Sequence, residues 1–172
     1  MKKTATTNHN LRGRLTTPLL VFIIIAMVAN LGLAAYIQLQ KEQNFALIPE
    51  ALRGDCFEDA VGGGGCGAVQ TSIYAETFGF SNPHIGYAGF PTLALLTGLT
   101  LYSLKRKKAW LSQLIPMTMT GFALGSAFSL WLLYAQFALI HYTCIYCLWV
   151  DGLMLAATAA YAWVLWPQLK QI

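Results

Sequence analysis

His141-Tyr142-Thr143-Cys144-Ile145-Tyr146-Cys147-Leu148 divides the longest uncharged interval of this chain. No Asp, Glu, Lys or Arg stands between Lys108 and Asp151, and a helix needs roughly 20 apolar residues to cross a bilayer. The interval is long enough for two spans, and the polar cluster His141-Tyr142-Thr143 is where the chain turns back. The same stretch sets a Cys-x-x-Cys pair at the mouth of the second span. Thiols at i and i+3 share one helix face, close enough to close a disulfide with little backbone movement. Free N–H groups and the helix dipole favour a thiolate at a helix start. The pair is placed for redox chemistry at a membrane surface.

Outward from this stretch the same pattern repeats. Charges are also missing between Arg14 and Lys41, between Glu76 and Lys105, and between Asp151 and Lys170. With 56% hydrophobic and 10% charged residues, the chain is too apolar for an ordinary soluble domain. The reading is an all-α membrane protein, a four-transmembrane-helix bundle with spans at about Pro18–Leu39, Gly86–Leu104, Trp110–Leu139 and Tyr142–Trp166. The first apolar run follows Lys2, Lys3, Arg12 and Arg14 as a signal peptide would. It is too long for a signal-peptide core and lacks a small-x-small cleavage site, so it is expected to be retained.

Orientation follows from Lys and Arg in the short flanks. Four precede the first span, Lys105-Arg106-Lys107-Lys108 joins the second and third, and Lys170 follows the fourth, whereas the first loop carries Lys41 and Arg53. Both termini are therefore expected in the cytoplasm, with residues 1–14 and 168–172 as tails of a membrane domain over 15–167. The loop of about 41–85, between helices 1 and 2, is expected outside. The net charge of +4 reflects this topology and gives no pointer to nucleic acid.

The outer loop holds six of the seven acidic residues and the other two cysteines, Cys56 and Cys66. Gly62-Gly63-Gly64-Gly65 lies between those cysteines and lacks the Gly-Lys-Ser/Thr of a phosphate loop. It reads as a flexible tether. Gly67–Phe80 reads as a short amphipathic helix at the outer interface, ended by Ser81-Asn82-Pro83. Gly121, Ala123, Gly125, Ser126 and Ser129 read as close-packing positions in the third span.

On this topology all four cysteines face one oxidising compartment, and two pairs in one compartment permit thiol–disulfide exchange between them. Two static disulfides are one alternative, although a Cys-x-x-Cys bridge closes a loop too small to add much stability. A four-thiolate zinc site is another, but a transmembrane helix end is a poor host for a zinc knuckle. Electrons leaving such a relay inside a bilayer need a lipid-soluble acceptor, since no haem, flavin or iron–sulfur spacing is present. A quinone beside Cys147, one turn deeper than Cys144, fits that need.

These residues resemble a known family. Cys56, then Cys66-Gly67-Ala68-Val69 with Ser72 six positions after the cysteine, Phe78-Gly79-Phe80-Ser81-Asn82-Pro83-His84-Ile85-Gly86, and Cys144-Ile145-Tyr146-Cys147 look like a bacterial vitamin K epoxide reductase (VKOR) family protein. The resemblance covers roughly residues 15–165. It implies a membrane quinone-dependent thiol oxidoreductase that reoxidises an extracytoplasmic thioredoxin-like (DsbA-type) partner, driving disulfide-bond formation in exported proteins. Carried onto this chain, Cys56 and Cys66 accept electrons from the partner, Cys144 exchanges with a loop cysteine, and Cys147 faces the quinone, ubiquinone or menaquinone. Ser72 hydrogen-bonds near the quinone head group. The implied location is the bacterial inner membrane, multi-pass. Many bacterial relatives carry a fused thioredoxin-like domain, so a chain ending at Ile172 is expected to use a separate partner. Vertebrate enzymes have a tyrosine four residues past the second helix cysteine; Asp151 stands there in this chain, which points to reduction of a plain quinone.

Asp151 also has a case from its position. It lies one turn below Cys147 on the same face, and an intramembrane acid is costly enough to mark a functional candidate. It is expected either to serve the quinone or to hydrogen-bond another helix through Gln136 or Tyr134. His141 reads as an interfacial residue or as a cation for a Cys144 thiolate, and Phe80, Tyr146 and Trp149 are the aromatic candidates for ring contact. The rival functions are a disulfide-stapled scaffold or assembly factor, and a transmembrane conduit for thiol electrons. A conduit needs cysteines at both faces, and this topology offers none inside.

Overall fold

A computed structural model describes residues 3–41, 65–106 and 111–169. Helix α1 (Lys3–Lys41) is followed by short helix α2 (Gly65–Thr71), a 3₁₀ turn (Ile73–Ala75) and a hairpin of β1 (Glu76–Thr77) and β2 (Phe80–Ser81). Helices α3 (Asn82–Arg106), α4 (Leu111–Tyr134) and α5 (Ile145–Leu169) complete the fold, α4 running on into a π-helical turn, Ala135–Ile140. Four segments are long and apolar enough to span a membrane: Thr16–Gln40, Asn82–Arg106, Gln113–Ile140 and Ile145–Val164. They match the four expected spans within a few residues, and the bundle is the one read from the charge gaps. The N-terminal stretch expected as a tail is helical from Lys3 onward.

The four long helices form a ring in which α1 packs on α3 and α5, and α4 packs on α5 and α3. At the end that carries Lys105 and Arg106, the ring is filled. Leu20, Ile23, Met27, Ile115, Phe122 and Tyr161 are buried there in one apolar cluster, with the Phe122 and Tyr161 rings 5.0 Å apart. Gly121, Gly125 and Ser126 of α4 pack closely as their sequence suggested, whereas Ala123 is exposed. A Cβ at Gly121 would meet Leu93 Cδ2 at 2.9 Å, and one at Gly125 would overlap Met154 Cε. Ser126 and Thr158 share a 2.7 Å hydrogen bond between α4 and α5. Outward-facing Phe22, Ile25, Leu95, Leu124, Leu130 and Trp163 are exposed, as a lipid-facing surface requires.

The segment after Cys66 departs from expectation. A helix was expected over Gly67–Phe80, but α2 ends at Thr71. Thr77 pairs with Phe80 across Phe78 (φ 55°) and Gly79 (φ 81°). Two consecutive residues with positive φ make a two-residue hairpin turn, a backbone no α-helix can contain. Asn82 then ties the hairpin to α3, its amide donating to the Tyr74 carbonyl at 2.8 Å and its oxygen accepting from Thr77 Oγ1 at 2.9 Å.

Candidate active site

At the opposite end of the bundle from Lys105 the ring opens into a cavity of about 520 Å³. Its walls come from the C-terminal half of α1, the start of α3, the end of α4 and the start of α5, with α2 and the 3₁₀ turn closing over them. Most of the lining is apolar, including Ile37, Phe90, Leu93 and Phe128, and Cys147 and Asp151 are on the α5 wall.

The Cys-x-x-Cys pair owes its posture to how the chain turns between α4 and α5. The π turn widens the last coils of α4 and buries Gln136, while His141 takes a left-handed conformation (φ 59°, ψ 20°) that reverses the chain. Cys144 follows, and its backbone N–H donates to Gln136 Oε1 at 3.0 Å. Its carbonyl accepts from Leu148 N–H at 3.0 Å, opening α5. Its sulfur accepts from the Cys147 backbone N–H at 3.3 Å. Both cysteines are free thiols.

Cys144 stands just outside the spanning segments. The side chain of Cys147 holds the Cys144 thiol below its ordinary pKa, aided by the backbone N–H groups of Cys147 and Tyr146 and opposed by burial and by the Asp151 charge. A thiolate there is the form that attacks or leaves in thiol–disulfide exchange. His141 is exposed and does not contribute to this lowering.

Cys66, on α2, is disulfide-bonded and fully buried. It shares a buried cluster with Val69 and Cys144, flanked by Ile140, Tyr146 and Cys147. The contact depends on Gly65: a Cβ there would overlap the Thr143 carbonyl oxygen. The last glycine of the run therefore lets α2 settle on the mouth of α5, in addition to any tethering role. Cys56, with the rest of the outer loop up to Gly64, lies outside the described residues.

Cys66, Cys144, Cys147 and Asp151 thus come together, Cys144 against Cys66 and Cys147 on the cavity wall. Ser72 does not reach that wall. Its hydroxyl donates to the Val69 carbonyl at 2.8 Å, closing the end of α2. The polar side chain of α2 that does line the cavity is Gln70, whose Nε2 donates to Cys147 Sγ at 3.4 Å. Asp151 hydrogen-bonds Ser129 on α4; of the two candidate partners on another helix, Gln136 is engaged by Cys144 and Tyr134 is exposed. The aromatic candidates stand elsewhere too: Phe80 and Trp149 are exposed, and Tyr146 meets Tyr36 edge-on at 4.9 Å. The rings on the wall belong to Tyr74, Phe90 and Phe128.

The sequence reading assigns Gln70 no place at the site, and considers Gln136 only as a partner for Asp151. One signal was available for each. Gln70 lies one turn after Cys66, and Gln136 is an amide deep in a long uncharged interval, far from Gln113 at its other end, where polar side chains are costly. Among the described residues no cluster of His, Cys, Asp or Glu suits a metal. All described cysteines are at one end of the bundle.

Residues 18–163 match the family model described as Vitamin K epoxide reductase family. No curated protein and no solved structure matches the chain.

Proposed function

We propose that this chain, which belongs to the vitamin K epoxide reductase family, reoxidises an extracytoplasmic thioredoxin-like (DsbA-type) protein and passes the electrons through two cysteine pairs to a quinone. The coarse assignment, a multi-pass membrane thiol–disulfide oxidoreductase of a quinone-using family, follows from family membership and the four spans. One observation carries the finer reading. Two free thiols stand where one sulfur meets a buried, disulfide-bonded cysteine and the other meets an apolar cavity.

The cavity suits a quinone ring. Its volume of about 520 Å³ lies within the roughly 300–1,000 Å³ typical of small-molecule sites, and it is apolar with few polar points, as such sites are. Gln70, Asp151 and Cys147 are those points next to the thiol pair. A bound quinone would take up the two electrons and two protons released when the Cys144–Cys147 dithiol closes to a disulfide.

The protein's own steps balance as follows. The partner's dithiol reduces the loop disulfide, leaving Cys56 and Cys66 as thiols and the partner oxidised. A Cys66 thiolate attacks Cys144 of the Cys144–Cys147 disulfide, forming a Cys66–Cys144 bond and releasing Cys147 as a thiolate. Attack by Cys56 on Cys66 restores the loop disulfide and releases Cys144, whose thiolate is the favoured leaving form. The two electrons then reside on Cys144 and Cys147. Cys66 in a disulfide beside two free α5 cysteines supports this order of exchange.

The remaining assignments belong to the same reading. Cys56 meets the partner, Asp151 serves the ring, and Ser72 acts by finishing α2, on which Cys66 and Gln70 ride. The membrane is the bacterial inner membrane, both termini are cytoplasmic and the cysteine end faces outward. Residues 15–167 work as one membrane domain, and ubiquinone or menaquinone is the acceptor. The test is purified protein with a reduced thioredoxin-like partner and a short-chain quinone, followed by quinone absorbance. Reduction is expected in wild type and abolished in Cys147→Ala. Full reduction by Cys147→Ala, or none by wild type, rejects the reading.

A further inference from the structure

Two oxygen atoms on the cavity wall have no partner among the described residues. Gln70 Oε1 and Asp151 Oδ2 are both buried, in side chains 7% and 2% exposed, and neither receives a hydrogen bond. They flank Cys147: Gln70 holds its sulfur from α2, and Asp151 follows one turn later on α5. Buried polar atoms are rarely left unpaired, and the exceptions call for an explanation. Among the described residues no side chain of the mostly apolar wall partners either atom, so the partner is sought on the ligand.

The two oxygens differ in what they can accept. A carboxyl group donates when protonated and accepts when ionised, so Asp151 can pair with a carbonyl or with a hydroxyl. An amide oxygen only accepts. With the Gln70 Nε2 side turned to the Cys147 sulfur, its Oε1 requires a ligand O–H or N–H. A quinone ring carries two carbonyl oxygens and offers no donor. Its two-electron, two-proton reduced form carries two hydroxyls.

Resting on the reading above, we infer that Gln70 makes this cavity select the reduced, hydroxyl-bearing ring over the oxidised one. The interaction is absent when the quinone enters and forms as its oxygen gains a proton, while Cys144 and Cys147 lose two electrons and close their disulfide. A contact stronger late in the reaction than early lowers the barrier, which uniform binding would not do. It also fits the position of Gln70, on the short helix that carries Cys66. The same α2 that delivers electrons through Cys66 brings the hydroxyl acceptor to the ring.

The test is equilibrium binding without turnover. In a Cys144→Ser background the disulfide cannot form, and Cys147 with its Gln70 contact is retained. Duroquinone and duroquinol are fully methylated rings that resist addition of a thiol, and their affinities are compared anaerobically by tryptophan quenching. Duroquinol is expected to bind at least about fivefold more tightly than duroquinone. Gln70→Met should bring the two within about twofold by weakening duroquinol alone, and Gln70→Glu, which keeps an acceptor oxygen, should retain the preference. Equal affinities in the parent protein, or an undiminished preference in Gln70→Met, overturn the inference. If Gln70→Met binds neither ring, equal affinities in Gln70→Glu overturn it. Cysteine-dependent quinone reduction with an unchanged ratio in Gln70→Met would sink this inference alone, whereas no binding of either ring would sink the proposed function with it.

Discussion

Gln136 Oε1 accepts the backbone N–H of Cys144 at 3.0 Å, joining the π turn that ends α4 to the first residue of the thiol pair. Both groups are buried, so the bond cannot be replaced cheaply by water. Removing the acceptor leaves a buried donor unsatisfied, which costs about 1–3 kcal/mol. Gln136→Leu is therefore expected to lower stability by that amount in a denaturation assay. It should also slow exchange between the loop and α5 cysteines severalfold in a rapid-quench measurement. Gln136→Glu keeps an acceptor oxygen and should lose much less. Equal losses in the two variants would mean that the side chain acts by packing alone.

The lowered pKa of Cys144 predicts a pH profile. The Cys147 side chain and two backbone N–H groups favour the Cys144 thiolate over the thiol. Its ionisation should therefore begin at lower pH than that of an ordinary cysteine. Because the folded pKa is the depressed one, the thiolate adds stability above the ordinary thiol pKa, and that increment is lost as pH falls through the folded value. In reduced Cys56→Ser/Cys66→Ser protein, thiolate ultraviolet absorbance should show an early step that Cys144→Ala abolishes. Cys147→Ala removes the largest cause and should move that step to higher pH. A step unmoved by Cys147→Ala would contradict this account.

The bundle was legible because charges are excluded from a bilayer. The gaps from Arg14 to Lys41 and from Lys108 to Asp151 therefore mark spans without reference to side-chain packing. Cys144 and Cys147 were legible for the same reason, since their place at a span mouth depends only on span order. The segment after Cys66 was not. Val69, Ile73 and Phe80 keep a helical spacing, yet Phe78 and Gly79 take positive φ, a local backbone choice that apolar periodicity does not report. Ser72 was placed near the quinone by family resemblance, which does not report where its hydroxyl bonds; here it donates to Val69 and closes α2. Gln70 and Gln136 were hidden differently. Their partners, Cys147 Sγ and Cys144 N–H, are set by α2 docking and by a π turn, and neither has a sequence period.

Gly65 gives a test of that docking. A Cβ at this position would overlap the Thr143 carbonyl oxygen, a backbone atom that cannot swing aside. Gly65→Ala should push α2 off the mouth of α5 and separate Cys66 from Cys144. Turnover with the thiol partner is expected to fall about tenfold or more, with quinone reduction by pre-reduced protein less affected. Gly98 is the control, since nothing stands within 4 Å of a Cβ there. Gly98→Ala should be neutral or stabilise α3 by up to about 1 kcal/mol, the helix-propensity difference between the two residues. Comparable damage from both substitutions would argue against a specific seat for α2.

Asp151 separates function from stability most cleanly. Its carboxyl is buried in a spanning helix, Ser129 bonds one side of it, and Oδ2 has no partner among the described residues. A group kept only for packing would not leave a polar atom unpaired at that depth, because replacing it by an apolar side chain would stabilise the fold. Asp151→Leu is accordingly expected to keep or raise the thermal midpoint, by the equivalent of about 1–2 kcal/mol, the scale of one relieved polar atom. Ser129, freed of its partner, can turn its hydroxyl back to a carbonyl of its own helix. Quinone reduction should nevertheless fall at least about tenfold, with thiol exchange between the loop and α5 pairs retained. A drop in both the midpoint and the exchange rate would instead make Asp151 a structural tie between α4 and α5.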